Sequence, residues 1–176
     1  LDRITLAGRH VQLEPLRLDH VDELVRAATI DRSTYAFTDV PGEHRAIVQA
    51  LKARDADRAR SAVLPFTQRR VADGTLVGCT RYMDLQWWRG RRQPDEVEIG
   101  GTWLSADAQR TPINTEAKLL LLQHAFEQFG VWRVAICTDA RNHRSRDAIG
   151  RIGATFEGVL RNHRLRLRNR LVHRIQ

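Results

Sequence analysis

The chain has 176 residues, 42% of them hydrophobic and 28% charged, with a formal net charge of +8. That is enough chain for one buried core, and the composition is that of a soluble globular protein. No apolar run reaches bilayer length and no charged-then-apolar leader opens the chain, so the expectation is a single cytoplasmic domain over residues 1–176.

Taken in order, the pattern predicts a mixed α/β chain. Residues 6–16 alternate at Val11 and Leu13 like a half-buried strand, and Asp19 then caps a helix carrying Val21, Leu24, Val25 and Ala28. Residues 34–42 are rich in turn formers and aromatics, and a second helix is expected over residues 43–59. Residues 63–67 read as a strand, Asp73 and Gly74 as a hairpin turn, and residues 75–83 as the returning strand. A basic loop at residues 90–94 leads into a strand that ends at Leu104. A long apolar helix over residues 117–129 follows, then a strand at 132–138 and a helix at 145–152 that stops at Gly153, a left-handed cap. Strands at 154–161 and 165–175 close the chain. The order β, α, α, β, β, β, α, β, α, β, β makes an α/β layer with a largely antiparallel first half and no internal repeat.

The positive charge is a weak argument for nucleic acid. Of 29 basic residues only Lys52 and Lys118 are lysine, and the arginines are scattered without a zinc-finger, RNA-recognition or helix-turn-helix pattern. The charge does favour acidic ligands or acidic protein surfaces. Cys79 and Cys137 fall in strand-like runs and read as small core hydrophobes, with no disulfide framework and no metal-ligand spacing.

The most informative segment is Ala108 to Lys118, where a strand ends in a polar turn that opens a helix. The first N–H groups of a helix lack internal acceptors and its aligned dipoles make that end positive, so phosphates are favoured guests. The turn reads as a pyrophosphate site.

The residues in and around this turn carry a resemblance. Glu98, Ile99 and Gly100, then Thr102, Trp103 and Leu104, then Gln109, Arg110 and Thr111, and finally Asn114 to Lys118 resemble the cofactor motif of the GNAT superfamily of acyl-CoA-dependent N-acetyltransferases. Asn142 to Ser145, Ala148 and Ile149, Ile152 to Ala154 and Glu157 to Arg161 resemble its second motif, and residues 8–16 fit the RimJ/RimL-like branch, which acetylates protein N-termini and small amines. The resemblance implies a single-domain fold with a mixed, mostly antiparallel sheet, two splayed parallel central strands and flanking helices. It implies acetyl-CoA as donor, its pantetheine arm lying in the splay and pairing with the backbone at Thr102, Trp103 and Leu104. Gln109, Arg110, Thr111, Pro112, Ile113, Asn114 and Thr115 would form the diphosphate turn, Asn142 would bond the pantetheine, and Arg146 would reach the adenosine phosphates. Members of this branch often pair, which implies a homodimer.

Two departures from the family pattern bear on chemistry. The turn's small residues are replaced by Pro112 and Asn114, so one N–H donor is lost; Thr111 as cap with Pro112 at the first helical position offsets this, and Arg110 can supply charge. The tyrosine that protonates the departing thiolate in many members is replaced by Ile149; Ser145, one turn nearer Asn142, is the alternative donor. Amide formation also needs a base for the amine, and Glu98 is the candidate, on the opposite strand face from Val97 and Ile99. Asp95 reads as a loop charge and Glu116 as a helix-dipole partner. His124 reads as packed or surface, and no Gly-x-Ser-x-Gly elbow supports a hydrolase.

The acceptor groove is expected between residues 35–42 and the loop at 86–90, with Tyr35, Trp87 and Trp88 as substrate contacts. The expected function is acetyl transfer to a protein N-terminal α-amine or a small amine; a non-catalytic acyl-CoA-binding module on the same fold is the alternative, favoured by the absent tyrosine and the proline.

Overall fold

The computed structural model describes residues 4–29, 64–164 and 167–175. Among the described residues eight strands form one sheet: β1 (Leu6–Ala7), β2 (Val11–Pro15), β3 (Leu64–Arg70), β4 (Leu76–Gln86), β5 (Glu96–Leu104), β6 (Arg133–Asp139), β7 (Thr155–Arg164) and β8 (Leu167–Ile175). Their spatial order is β1-β2-β3-β4-β5-β6-β8-β7. Every neighbouring pair is antiparallel except β5 and β6. Three α-helices are described: α1 (Val21–Thr29), α2 (Ile113–Gln123) and α3 (His143–Arg151). None of the described helices is long and apolar enough to cross a membrane.

Helix placement follows from the apolar spacing. Ile113, Ala117, Leu121 and Ala125 recur every four residues on one side of α2 and its extension, and all four are buried with Val11, Leu13, Val97, Ile99 and Val134 in the main core. Leu24, Ala27 and Ala28 of α1 form a second cluster with Leu76, Cys79 and Trp103. Strand side chains alternate between faces, so β4 and β5 contribute to both clusters.

Several boundaries differ from the sequence expectation. Residues 6–16 form two short strands joined by a turn. Gly8 sits in that turn because a Cβ there would stand 2.5 Å from the Glu116 carboxylate. β4 runs on to Gln86, and α3 begins at His143 on its Asn142 cap. α2 starts at Ile113 after a Pro112 cap, four residues before the apolar run begins. It ends in a wider π-helical turn, His124–Phe129, closed by Gly130 at φ 62°. There the buried Tyr82 hydroxyl donates to the Leu121 carbonyl, and its ring packs against His124 and Phe129. His124 is therefore a packed residue. The helix expected over residues 43–59, the irregular segment and Tyr35 lie outside the described residues.

Candidate active site

β5 and β6 pair in parallel over three positions only, Glu96 with Arg133, Val97 with Val134 and Glu98 with Ala135. Beyond Glu98 the ladder between them ends, while β5 continues to Leu104 and β6 to Asp139. The result is a V-shaped gap with Glu98 at its closed end and Leu104 and Asp139 at its mouth.

On its other side β5 stays paired with β4, with one irregularity. Cys79 faces Trp103 and Arg81 faces Gly100, so Gly101 and Thr102 together oppose Thr80, a β-bulge. Gly101 absorbs it at φ 55°, and a Cβ there would meet the Arg81 guanidinium at 2.6 Å. The extra residue reverses the alternation: Val97 and Ile99 face the main core, whereas Trp103 faces the α1 cluster.

Glu98 is 4% exposed and lies on the face opposite Val97 and Ile99. Gly100 makes room for it, since a Cβ at Gly100 would stand 3.0 Å from Glu98 Oε1 and 2.6 Å from Met83 Sδ. Its neighbour Glu96 pairs with Arg133 at 3.2 Å.

The turn after β5 is built by its own side chains. Ser105 Oγ donates to Asp107 at 2.6 Å, Thr111 Oγ1 donates to the Ala108 carbonyl at 2.7 Å, and Gln109 Nε2 donates to the Leu104 carbonyl at 3.0 Å. Arg144 of α3 donates to Gln109 Oε1, so this one amide links the open ends of the two splayed strands. The left-handed residue that glycine supplies elsewhere is Arg110, at φ 62°. Pro112, rather than the expected Thr111, stands at the cap and no side chain caps the helix; Thr111 lies one residue earlier, where its Oγ1 accepts from Ile113 N at 3.4 Å. The first backbone bond of the helix is Glu116 N to the Pro112 carbonyl, so the N–H groups of Asn114 and Thr115 precede the ladder. Asn114 Oδ1 is buried without a hydrogen-bond partner among the described residues. Two free helix N–H groups, exposed Arg110 and the open strand edge suit a diphosphate carrying an extended amide arm.

Across the gap, Asn142 Oδ1 accepts from Ser145 N at 3.1 Å and caps α3. Half-buried Ser145 sits in the first turn of α3, exposed Arg146 follows it, and Ile149 is buried in the core. The capping bond uses the Asn142 oxygen.

Trp87 and Trp88 are both exposed, at 48% and 53%, so neither is a core residue. They belong to the β4–β5 loop, at the closed end of the splay. The loop is organised by Asp95, which corrects its reading as a simple loop charge. Asp95 is fully buried and accepts from Trp88 N at 2.6 Å, Arg89 N at 2.9 Å, Arg91 Nε at 3.0 Å and the Arg89 guanidinium. Burial would raise its pKa, but these donors hold the carboxyl well below the usual range. Glu116 also does more than face the dipole: it accepts the N–H groups of Arg9, His10 and Val11 at 2.8, 2.6 and 2.8 Å, tying the β1–β2 turn to α2.

Sequence reasoning missed Lys118. It is 6% exposed, points from α2 onto the bulge, and donates to Thr102 Oγ1 at 2.6 Å and Thr80 Oγ1 at 3.4 Å. Its i−3 spacing from the buried Leu121 was the available signal.

Comparison with known proteins agrees with this geometry. The Acetyltransferase (GNAT) domain family matches residues 10–155. YdaF of Bacillus subtilis (strain 168), named as a candidate ribosomal N-acetyltransferase, is 30% identical over 118 residues, and the match spans 61% of each chain. A GCN5-related N-acetyltransferase from Brucella melitensis superposes with a TM-score of 0.78 at 28% identity, over 99% of this chain and 79% of that one. Mycobacterium smegmatis RimJ, in complex with CoA-disulfide, shares the fold with a TM-score of 0.76 at 20% identity, over 98% of this chain and 87% of that one. The splayed pair, the turn into α2 and the family match over residues 10–155 together establish that the chain belongs to the GNAT acetyltransferase domain family, whose acyl donor is acetyl-CoA.

Proposed function

We propose that this protein transfers the acetyl group of acetyl-CoA to a primary amine, most favourably the α-amine of a protein N-terminus or a small-molecule amine, in the cytoplasm. The observation that carries the reading is the gap between β5 and β6, which opens directly beside the free N–H groups at the start of α2. In it the backbone of Thr102, Trp103 and Leu104 pairs with the pantetheine arm. Gln109, Arg110, Thr111, Pro112, Ile113, Asn114 and Thr115 form the diphosphate turn, with Asn142 and Arg146 on the facing helix. YdaF's name supports a ribosomal protein as acceptor.

Glu98 takes the proton of the incoming ammonium, directly or through water. The amine nitrogen then attacks the thioester carbon, the C–S bond breaks, the thiolate sulfur takes a proton from Ser145 Oγ, and the second proton leaving the new amide nitrogen returns to Ser145 through water. Glu98 is buried and opposes Met83 across the β4–β5 ladder, within reach of the gap. Trp87 and Trp88, exposed beside the Glu98 end of the gap, are the described substrate contacts; Tyr35 is the third candidate.

Thermal unfolding with acetyl-CoA, CoA and ATP tests the reading. A ligand at a hundred times its Kd adds about 2.7 kcal/mol, which for a chain of this size raises Tm by roughly 5–10 °C. Shifts with acetyl-CoA and CoA but not ATP support the donor; no shift with any refutes it.

A further inference from the structure

Both bulge residues are held from outside β5. Thr80 Oγ1 lies 2.8 Å from Thr102 Oγ1, Cys79 Sγ donates to the Gly101 carbonyl at 3.7 Å, and Lys118 Nζ reaches Thr102 from α2. The same helix carries the free N–H groups of Asn114 and Thr115 at its start, one turn before Lys118. Lys118 therefore joins the helix that receives one end of the donor to the strand bulge that receives the other.

A lysine is an unusual choice for this contact. Thr80 and Thr102 already bond one another, so Lys118 is not required to pair these two hydroxyls. Desolvation of the ammonium is unfavourable, and no carboxylate pairs with Lys118 among the described residues. A residue that stability disfavours, placed at the strand edge where the donor lies, points to function.

Accepting the acetyl-CoA reading above, we propose that Lys118 is a positioning residue for acetyl transfer, fixing the Gly101–Thr102 bulge so that its backbone meets the thioester end of the donor. It touches neither donor nor acceptor and acts through Thr102. Burial lowers its pKa to about 7, with neighbouring Cys79 opposing the shift. Below pH 7 the ammonium donates to both threonines; above it the neutral amine can also accept, and the bulge is held less firmly. Thr80 and Thr102 are the polar groups facing it from β4 and β5.

The test uses the whole chain and acetyl-CoA labelled with 13C at the thioester carbonyl. In the wild type, the carbonyl resonance moves on binding and this bound shift titrates with a midpoint near pH 7. In Lys118→Met, CoA affinity stays within threefold, because the diphosphate turn is intact, while the shift shrinks by half or more and loses its titration. Lys118→Arg, which retains a donor, recovers part of it. Thr102→Val, which keeps the fold without relying on Lys118 variants, reproduces the loss. An unchanged bound shift and titration in both Lys118→Met and Thr102→Val overturns the proposal. Failure of wild-type protein to bind acetyl-CoA overturns the donor reading instead.

Discussion

Replacing Glu116 with glutamine is the sharpest test of how α2 is anchored. The carboxylate accepts three backbone N–H groups from the β1–β2 turn, two of them part-buried. Hydrogen bonds to a charged acceptor contribute about 1.5–3 kcal/mol each when buried, and partial exposure reduces this. An amide retains one oxygen able to accept two bonds but turns an NH2 toward the remaining donor. The expected loss for Glu116→Gln is therefore about 1–3 kcal/mol, read as a fall in Tm of roughly 4–8 °C at the middle of that range. Urea unfolding at pH 7 measures it directly. The pH dependence supplies a second reading. Burial would raise the Glu116 pKa, but the His10, Arg9 and Val11 amides outweigh it and the folded value is lowered. The stabilisation is then fully present above the ordinary glutamate value near 4.3 and is lost as pH falls through the lower folded value. The difference between wild type and Glu116→Gln should close over that acid range. A midpoint within error of wild type at pH 7, or a difference independent of pH down to 3, would refute the anchoring role.

Other outcomes follow from the same geometry. Glu98→Gln should lower kcat for acetyl transfer by about a hundredfold or more while leaving the Kd for CoA unchanged; equal turnover would remove Glu98 as base. Gly101→Ala, forced to φ 55° against the Arg81 side chain, should destabilise by about 1–2 kcal/mol in urea; a neutral result would mean the bulge relaxes. Asp95→Asn should speed amide exchange at Trp88 and Arg89 and open the loop to cleavage at Arg91 or Arg92, since the carboxylate is the shared acceptor there. Because the Asp95 pKa is depressed, that order persists above the usual aspartate range and is lost only in strong acid. Unchanged protection in the asparagine variant would contradict its organising role.

Some of this was legible in residue order alone. The end of the strand at Leu104 was read correctly because β-branched and aromatic residues run up to the turn formers that follow. The Asp73–Gly74 turn and the Gly153 stop were equally plain, since both need the left-handed freedom that Gly74 and Gly153 show at φ 72° and 84°. The family, and with it the donor, followed from Gln109 to Lys118 and Asn142 to Ser145, whose spacing places two helix starts after two strands.

Tertiary structure decided what depends on contacts distant in sequence. Glu116 looked like a dipole partner because the N–H groups that donate to it lie more than a hundred residues away, at Arg9 to Val11. Asp95 looked like a loop charge because burial beneath Arg89 and Arg91 is set by how the loop closes. The bulge at Gly101 exists only in the pairing of β5 with β4, and a bulge leaves no local signature beyond a glycine. Lys118 was hidden for the same reason: a lysine within an apolar helix reads as solvated until the strand beneath it supplies Thr80 and Thr102. Periodicity records which face of an element is buried, whereas the partners of a buried polar group are fixed only when separate elements meet.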